Sequence, residues 1–311
     1  MTDASLKAGA VVVAFALDGL LGEPPARLHP VVWMGRALGS SGAPWPRLPP
    51  PIQFLCGTVA WIVGSALAVA AAALAVALMH RLPRLPTWTV LAQVLMLGAL
   101  LKPLLAWRML RDEVAGVERA LAAGLEEGRR QLSRLVSRDT RRLSAGQVRE
   151  SVLESLAENL NDSLVAPLFW FSLGGLPAAA LYRFANTADA MWGYRDRWEW
   201  AGKWAARADD VLSYLPARLT ALLLAFSAWR SPSGLGAEAR LTPSPNGGWP
   251  MGMLALALGV RLSKPGVYAL NAAGPEPGAT HTGRAIGICR RAAWLSVGIS
   301  AAVLAIMSWR S

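Results

Sequence analysis

The run from Ile52 to Met79 contains no charged residue. It exceeds the ~18 apolar residues that mark a membrane-spanning helix. Every other reading of the chain must therefore be compatible with a bilayer. A second apolar run, Trp88 to Trp107, is broken only by Lys102 near its end, where the long side chain is expected to snorkel toward the interface. The short, Pro-containing connection from His80 to Thr87 makes the two runs a helical hairpin. Ala292 to Met307 is a third candidate span, with Arg290 and Arg291 as a basic flank and Trp309 as an interfacial anchor. Near the N-terminus, Lys7 followed by Ala8 to Leu17 has the form of a signal-peptide core, and Ala14-Phe15-Ala16 mimics a cleavage site. Asp18 and a dense Gly/Pro turn follow directly, which argues for a retained membrane helix.

Composition agrees. Apolar residues make up 54% of the 311 residues and charged residues 16%, against about 25% charged in globular chains. That is too little charge to cover a water-facing surface, and the mean hydropathy of +0.35 is positive. The net charge is +11, from 31 Lys and Arg against 20 Asp and Glu. These basic residues sit in loops beside apolar runs, the positive-inside pattern, and no nucleic-acid motif accompanies them. The partner implied is the lipid bilayer, with no nucleic acid. Cys56 and Cys289 lie in or beside apolar segments without CxxC spacing and read as small apolar residues.

Between Arg108 and Arg149 lie ten arginines and no lysine. Val114, Val117, Leu121 and Leu125 recur at helical spacing there, so residues 108–150 read as a partly helical cytosolic excursion. With two spans before it, residues 30–51 are cytosolic as well. Val165 to Leu181 is apolar but interrupted by Gly174, Gly175 and Pro177, and Val211 to Trp229 carries Arg218 inside it. Both predict broken or re-entrant helices, which a membrane protein tolerates where they are buried in protein or line a cavity. The expected architecture is all-α: a polytopic membrane domain over residues 1–311.

The polar residues recur between these apolar segments, from Arg138 to Arg218. Glu154, Glu158 and Asp162 fall at i, i+4 and i+8 and share a helical face, with Asn159 beside them. Asn186 and Asp189, three apart, share another, and Asp209 and Asp210 follow. Two unpaired carboxylates 4 Å apart repel by about 4 kcal/mol at an effective dielectric of 20. Either some are protonated or a cation lies among them. A hard ion such as Mg²⁺ suits a few carboxylates plus substrate phosphates. Arg138, Arg183, Arg195, Arg207 and Arg218 flank the acids and are suited to bidentate phosphate or carboxylate recognition, though any one of them also fits a structural ion pair. Ionisable residues in membrane segments are expensive and usually functional. No GxxxxGK[ST], strand-linked GxGxxG, HExxH or GxSxG is present. Two rigid turn segments complete the set: Leu21-Gly22-Glu23-Pro24-Pro25 leading to His29-Pro30 and Arg36, and Pro243 to Gly248 leading to Trp249-Pro250.

These residues resemble the adenosylcobinamide-phosphate synthase family, the CobD/CbiB membrane proteins. The resemblance rests on Asp18-Gly-Leu-Leu-Gly-Glu-Pro-Pro, His29-Pro30 and Gly35-Arg36; Ser137-Arg138-Asp139-Thr140; and Glu154 to Asn159 with Asp162 and Ala166 to Phe169. It continues through Tyr182 to Thr187, Asp189 to Met191, Gly193-Tyr194-Arg195, Ala206 to Asp210, Pro216 to Leu219 and Pro243 to Asn246. The chain departs from the pattern at Ser137 and Arg141-Arg142-Leu143, around the Arg-Asp-Thr triplet, and at Asn161 beside Asp162. The resemblance implies an ATP-dependent ligase joining adenosylcobyric acid, a corrinoid, to (R)-1-amino-2-propanol phosphate through an acyl phosphate, in the bacterial cytoplasmic membrane. Other cobalamin-assembly enzymes are possible partners. It further implies ATP and Mg²⁺ as cofactors, with Mg²⁺ on Glu158, Asp162, Asp189 and Asp210. Catalytic roles fall to Glu158, Asp189 and Asp209, the last as proton acceptor. Substrate and phosphate contacts fall to Arg138, Asp139, Thr140, Asn159, Arg183, Asn186, Tyr194, Arg195, Arg218, His29, Arg36, Ser244 and Asn246. An AmpE-like membrane regulator and a transporter are the alternatives.

Overall fold

The computed structural model describes residues 3–81, 88–194 and 197–310. In chain order the helices are α1 (Asp3–Leu21), α2 (Pro30–Gly42), α3 (Pro50–His80), α4 (Trp88–Leu101), α5 (Trp107–Ala123), α6 (Leu125–Leu132), α7 (Ala145–Leu160), α8 (Ala166–Trp192), α9 (Lys203–Leu212), α10 (Tyr214–Ala228), α11 (Leu235–Ala239), α12 (Gly248–Leu258) and α13 (Ala279–Arg310). A short antiparallel hairpin, β1 (Leu262–Lys264) and β2 (Tyr268–Leu270), precedes α13. Among the described residues, five helical stretches are long and apolar enough to cross a membrane: Asp3–Leu21, Pro50–His80, Thr89–Ala123, Ala145–Trp192 and Ala279–Trp309. The chain is thus an all-α, multi-pass membrane protein. The expected hairpin turn at His80 to Thr87 lies largely outside the described residues.

The chain divides into two compact units. The first comprises residues 1–106, 166–213 and 297–311, the second residues 107–165 and 214–296.

In the first unit, α1 packs on α4, with Gly9 against Val94 and with Ala10 and Val13 against Gly98. The two backbones approach closely because Gly98 has no side chain: a Cβ there would lie 2.5 Å from Val13 Cγ1. Such small-residue contacts are how helices associate where lipid supplies no hydrophobic drive. Helix α3 leaves Leu55, Ile62, Val63 and Leu67 exposed, as a lipid-facing helix must, and packs its other side on α8. Trp45, Trp192 and Phe184 form a buried aromatic core there, the two indoles 5.0 Å apart. Helix α8 is broken as its sequence predicts: Gly175 sits at φ 67°, ψ −159°, a conformation only glycine adopts without strain, and Pro177 follows.

Lys102 corrects the expectation made for it. It does not snorkel. Its side chain is 7% exposed, and its ammonium lies 2.9 Å from Glu23 and 3.4 Å from the fully buried Asp18. The physical reason is local: a 3₁₀ turn, Lys102–Leu104, ends α4 beside the C-terminal end of α1, where Asp18 supplies a buried counter-charge. Pairing within the protein replaces the reach to water.

In the second unit, α7 is central and is packed by α5, α6, α12 and β1. It starts with a capping box in which Ser144 and Gln147 satisfy each other's backbone N–H groups. Val148, Val152, Leu153, Leu156 and Leu160 are all fully buried. In the Arg-rich segment Val114 and Val117 of α5 are buried as the spacing predicts, whereas Leu125 is exposed because Gly124 ends the first helix and a new one starts there. The hairpin is held to α7 by Glu150, 0% exposed, which accepts hydrogen bonds from Ser263 N at 3.1 Å, the Ser263 hydroxyl and Arg261 Nε at 3.0 Å. That carboxylate in turn holds the Arg261 guanidinium above its ordinary pKa. Directly after β2, Asn271 N donates to Glu238 at 2.7 Å.

Candidate functional site

Between α7 and α8 the chain makes a π-helical turn, Asn161–Val165. Such turns are frequent at functional sites because they displace side chains from the α-helical register. Here Asp162 falls in the π turn, while Glu154 and Glu158 stay one turn apart on α7. Glu154 is buried, 2% exposed, and binds its own counter-ion: Arg138 Nη2 donates to Oε2 at 2.7 Å while Nη1 reaches Ser151 Oγ at 3.2 Å. Glu158 is exposed and lies against the turn before α12, where a Cβ on Gly247 would fall 3.0 Å from its Oε1. Asp162 sits in the π turn and accepts from Asn161 Nδ2 at 2.8 Å; Asn161 Oδ1 accepts in turn from Thr220. Glu154, paired with Arg138, therefore needs no metal ion to offset it.

The turn before α12 is organised by Arg218. Its Nη1 donates to Tyr214 O at 2.6 Å and Asn246 Oδ1 at 3.1 Å, and Nη2 donates to Pro245 O at 3.3 Å. The guanidinium also stacks 3.5 Å from the Tyr214 ring and 4.7 Å from the Trp249 ring. Ser244 Oγ accepts from the N–H groups of Asn246 and Gly247, closing the turn. Arg218 is thus joined to the distant turn of residues 244–246 in one assembly. Asn159 bonds back to Ser155 of its own helix. Thr140 is buried with its hydroxyl on Arg129 O, and exposed Asp139 is held well below the usual carboxylate range by hydrogen bonds from Arg141.

Tyr268 is the residue that sequence reasoning missed. It stands on β2 with its hydroxyl 3.8 Å from Met251 Sδ. Burial and the neighbouring carboxylates, Glu154 first and then Glu158, push its pKa well above the usual phenol range. The signal was present: Lys264-Pro265-Gly266-Val267 is a type II turn sequence, and Gly266 adopts φ 74° with Val267 N bonded to Lys264 O at 2.9 Å.

In the first unit, α8 carries Arg183, Asn186 and Asp189, and α9 carries Asp209 and Asp210; these two helices pack together. The Tyr182 hydroxyl lies 3.1 Å from Ser213 Oγ, which lies 3.5 Å from Asp209 Oδ2. Asp189 occupies the last turn of α8, against Gly193. Tyr194 and Arg36 are exposed, while Arg195 lies outside the described residues. His29 is the N-cap of α2: its Nδ1 accepts from Val31 N at 3.2 Å and its Nε2 lies 2.8 Å from Glu23 Oε2. Burial raises the Glu23 pKa, but the hydrogen bonds from His29 and Lys102 outweigh it, and the carboxyl sits below its ordinary value.

A family model described as CobD/Cbib protein matches residues 11–295. The chain belongs to the CobD/CbiB family. Relatives at similar length include the probable cobalamin biosynthesis protein CobD of Thermococcus kodakarensis, 41% identical over 86% of this chain and 85% of that one. The corresponding protein of Methanothermobacter thermautotrophicus is 42% identical over 84% and 85%. The cobalamin biosynthesis protein CobD of Rhodobacter capsulatus is 38% identical over 92% and 93%. No solved structure matches. CobD/CbiB relatives thus come from archaea as well as bacteria, and the family does not itself fix a bacterial membrane.

Among the described residues, no group of three His, Cys, Asp or Glu side chains stands close enough to hold a metal ion alone. The available donors are carboxylate oxygens: Glu158 and Asp162 in the second unit, Asp189 and Asp210 in the first. Each pair, taken within its own unit, fits Mg²⁺ brought with a nucleotide, because Mg²⁺ is commonly bound through one or two carboxylates plus substrate phosphates. It does not fit a resident ion in a protein cage.

Proposed function

We propose that this CobD/CbiB protein acts in cobalamin biosynthesis as an ATP-dependent amide ligase of the cytoplasmic membrane. It joins adenosylcobyric acid to (R)-1-amino-2-propanol phosphate, giving adenosylcobinamide phosphate. The observation that carries this reading is the assembly in the second unit: Glu158 beside the Gly247 turn, with Arg218 and Asn246 building that turn. It combines an exposed carboxylate with a guanidinium group, the equipment for positioning a metal-bound anion.

Carboxylate and amine do not condense readily in water, so the acid is activated first. Its carboxylate oxygen attacks the γ-phosphorus of ATP, the bond to the ADP oxygen breaks, and an acyl phosphate forms. The amine nitrogen then attacks the acyl carbon. The C–N bond forms, the C–O bond to phosphate breaks, phosphate leaves, and the nitrogen gives its proton to a carboxylate, assigned to Asp209. In the first unit Arg183 and Arg195 are assigned to phosphate oxygens and Asp189 to the nucleotide; in the second unit Arg138 and Glu158 carry the corresponding assignments. Asn159, Asn186, Tyr194, Asp139, Thr140, Arg218, Ser244, Asn246, His29 and Arg36 line or support the substrate contacts. Mg²⁺, when bound, neutralises charge on the phosphate oxygens.

Asp189→Ala and Glu158→Ala test this directly. Both are expected to lose turnover while remaining folded in detergent, and near-normal turnover in both would sink the carboxylate assignment. If ¹⁸O in the corrinoid carboxylate does not appear in the released phosphate, the acyl phosphate is wrong.

A further inference from the structure

Helix α10, in the second unit, has two unlike faces. Ala217, Thr220, Ala221 and Leu224 are buried, and the helix packs on α12. On the opposite side Leu215, Leu222, Phe226 and Trp229 are each more than half exposed. Their spacing of seven, four and three residues draws one apolar stripe along the whole helix. The last of them is held at a conformational cost. Trp229 lies at φ 52°, in the left-handed region that favours glycine. It occupies the C′ position of a Schellman end, where Trp229 N donates to Phe226 O at 3.1 Å and Arg230 N to Ala225 O at 3.0 Å. The side chain is 81% exposed, its ring 5.3 Å from that of Phe226, so the indole is directed outside the fold.

Arginines and aromatic rings stand at both ends of the stripe. At one end Arg218 stacks on Tyr214 and Trp249. At the other, Arg230 and Arg290 are exposed, and Arg291 donates from Nε to Ser227 O at 2.8 Å. Trp294 is exposed one turn further along α13. Arginine beside Trp or Tyr suits phospholipid headgroups, with the guanidinium on phosphate and the ring at the acyl boundary. A helix needs ~20 residues to set two such ends on opposite surfaces of a bilayer. Helix α10 has 15.

We propose that α10 lies in the plane of one membrane interface, with its stripe among the lipid acyl chains and Arg218, Arg230 and Arg291 at the phosphates. The partner is the headgroup–acyl boundary of a phospholipid leaflet, apolar toward the stripe and anionic toward the arginines. Interfacial helices sink their apolar face about 5–10 Å into that boundary. The turn that Arg218 builds with Asn246 is thereby held at headgroup level, whichever reaction the protein performs.

The test is the depth of single nitroxides on Leu215→Cys, Leu222→Cys and Phe226→Cys of the full chain in lipid nanodiscs, in a Cys56→Ala, Cys289→Ala background. Depth is read from the ratio of oxygen to nickel-chelate accessibility. In the proposed placement all three labels share one depth to within about 4 Å, just below the phosphates. In a crossing or re-entrant α10, seven residues change the depth by about 10 Å and eleven by about 16 Å. A progressive change of that kind would overturn the proposal. Low oxygen access at all three labels would overturn it too, by showing that a second copy of the chain covers the stripe. Trp229→Gly suits the residue to φ 52° and removes only the anchor. Its Tm in detergent should fall by no more than about 2 °C, because the indole serves lipid rather than the core. A larger fall would make Trp229 a packing residue and overturn its role as an anchor.

Discussion

Lys102→Met removes a cation that two carboxylates share inside the first unit. Lys102 is 6% exposed and Asp18 0%, with Glu23 2.9 Å from the ammonium. Methionine fills nearly the same volume, so the loss is electrostatic. Removing one partner of a buried pair costs about 3–5 kcal/mol, because the carboxylates left behind lose the cation they share. For a chain of this size that corresponds to a fall of roughly 5–15 °C in apparent Tm. Asp18→Asn combined with Lys102→Met should recover a large part of it. Glu23 gives the pH dependence: its folded pKa lies below its unfolded value of about 4.5. It therefore contributes stability that is present above the unfolded pKa and lost as pH falls through the folded one. Without Lys102 that acid limb should begin at higher pH. Thermal unfolding in a mild detergent, followed by tryptophan fluorescence between pH 3 and 8, reads both effects. A shift under about 2 °C in Lys102→Met would mean that the lysine reaches water after all.

Glu150→Gln should weaken the anchoring of the hairpin by about 2 kcal/mol, since it discards a charge-assisted acceptor shared by Ser263 and Arg261. Hydrogen exchange at the Ser263 amide would accelerate accordingly. Arg218→Lys keeps the charge but loses the planar fork and the stacking on Tyr214 and Trp249. Faster proteolysis of residues 243–249 and a drop in turnover of about 10-fold or more are expected, the cost of one or two hydrogen bonds to a charged group.

Much of this architecture is legible in the sequence, because bilayer constraints act on composition and run length. Ile52 to Met79 announces α3, and Gly174, Gly175 and Pro177 announce the break in α8. The spacing of Val114 and Val117 announces α5. What the sequence conceals is pairing across distance. Lys102 looks like a snorkelling residue because nothing local reveals Asp18, 84 positions away, as its neighbour. Glu154, Glu158 and Asp162 look equivalent by spacing, but Glu154 is buried against Arg138, Glu158 is exposed, and the π turn at Asn161 takes Asp162 out of the α-helical register. Tyr268 escapes notice for a related reason: a hairpin with three-residue strands has too little periodicity to stand out from a loop, and only its Pro-Gly turn marks it.

The central claim is the coupling of ATP cleavage to amide formation. Purified protein in lipid nanodiscs, given ATP, Mg²⁺, adenosylcobyric acid and (R)-1-amino-2-propanol phosphate, should release one ADP for each adenosylcobinamide phosphate formed. Omitting either the acid or the amine should abolish the amide product. Complete absence of amide and of substrate-dependent ADP release, from protein that remains folded, would contradict the account and return a regulator or a transporter to the front.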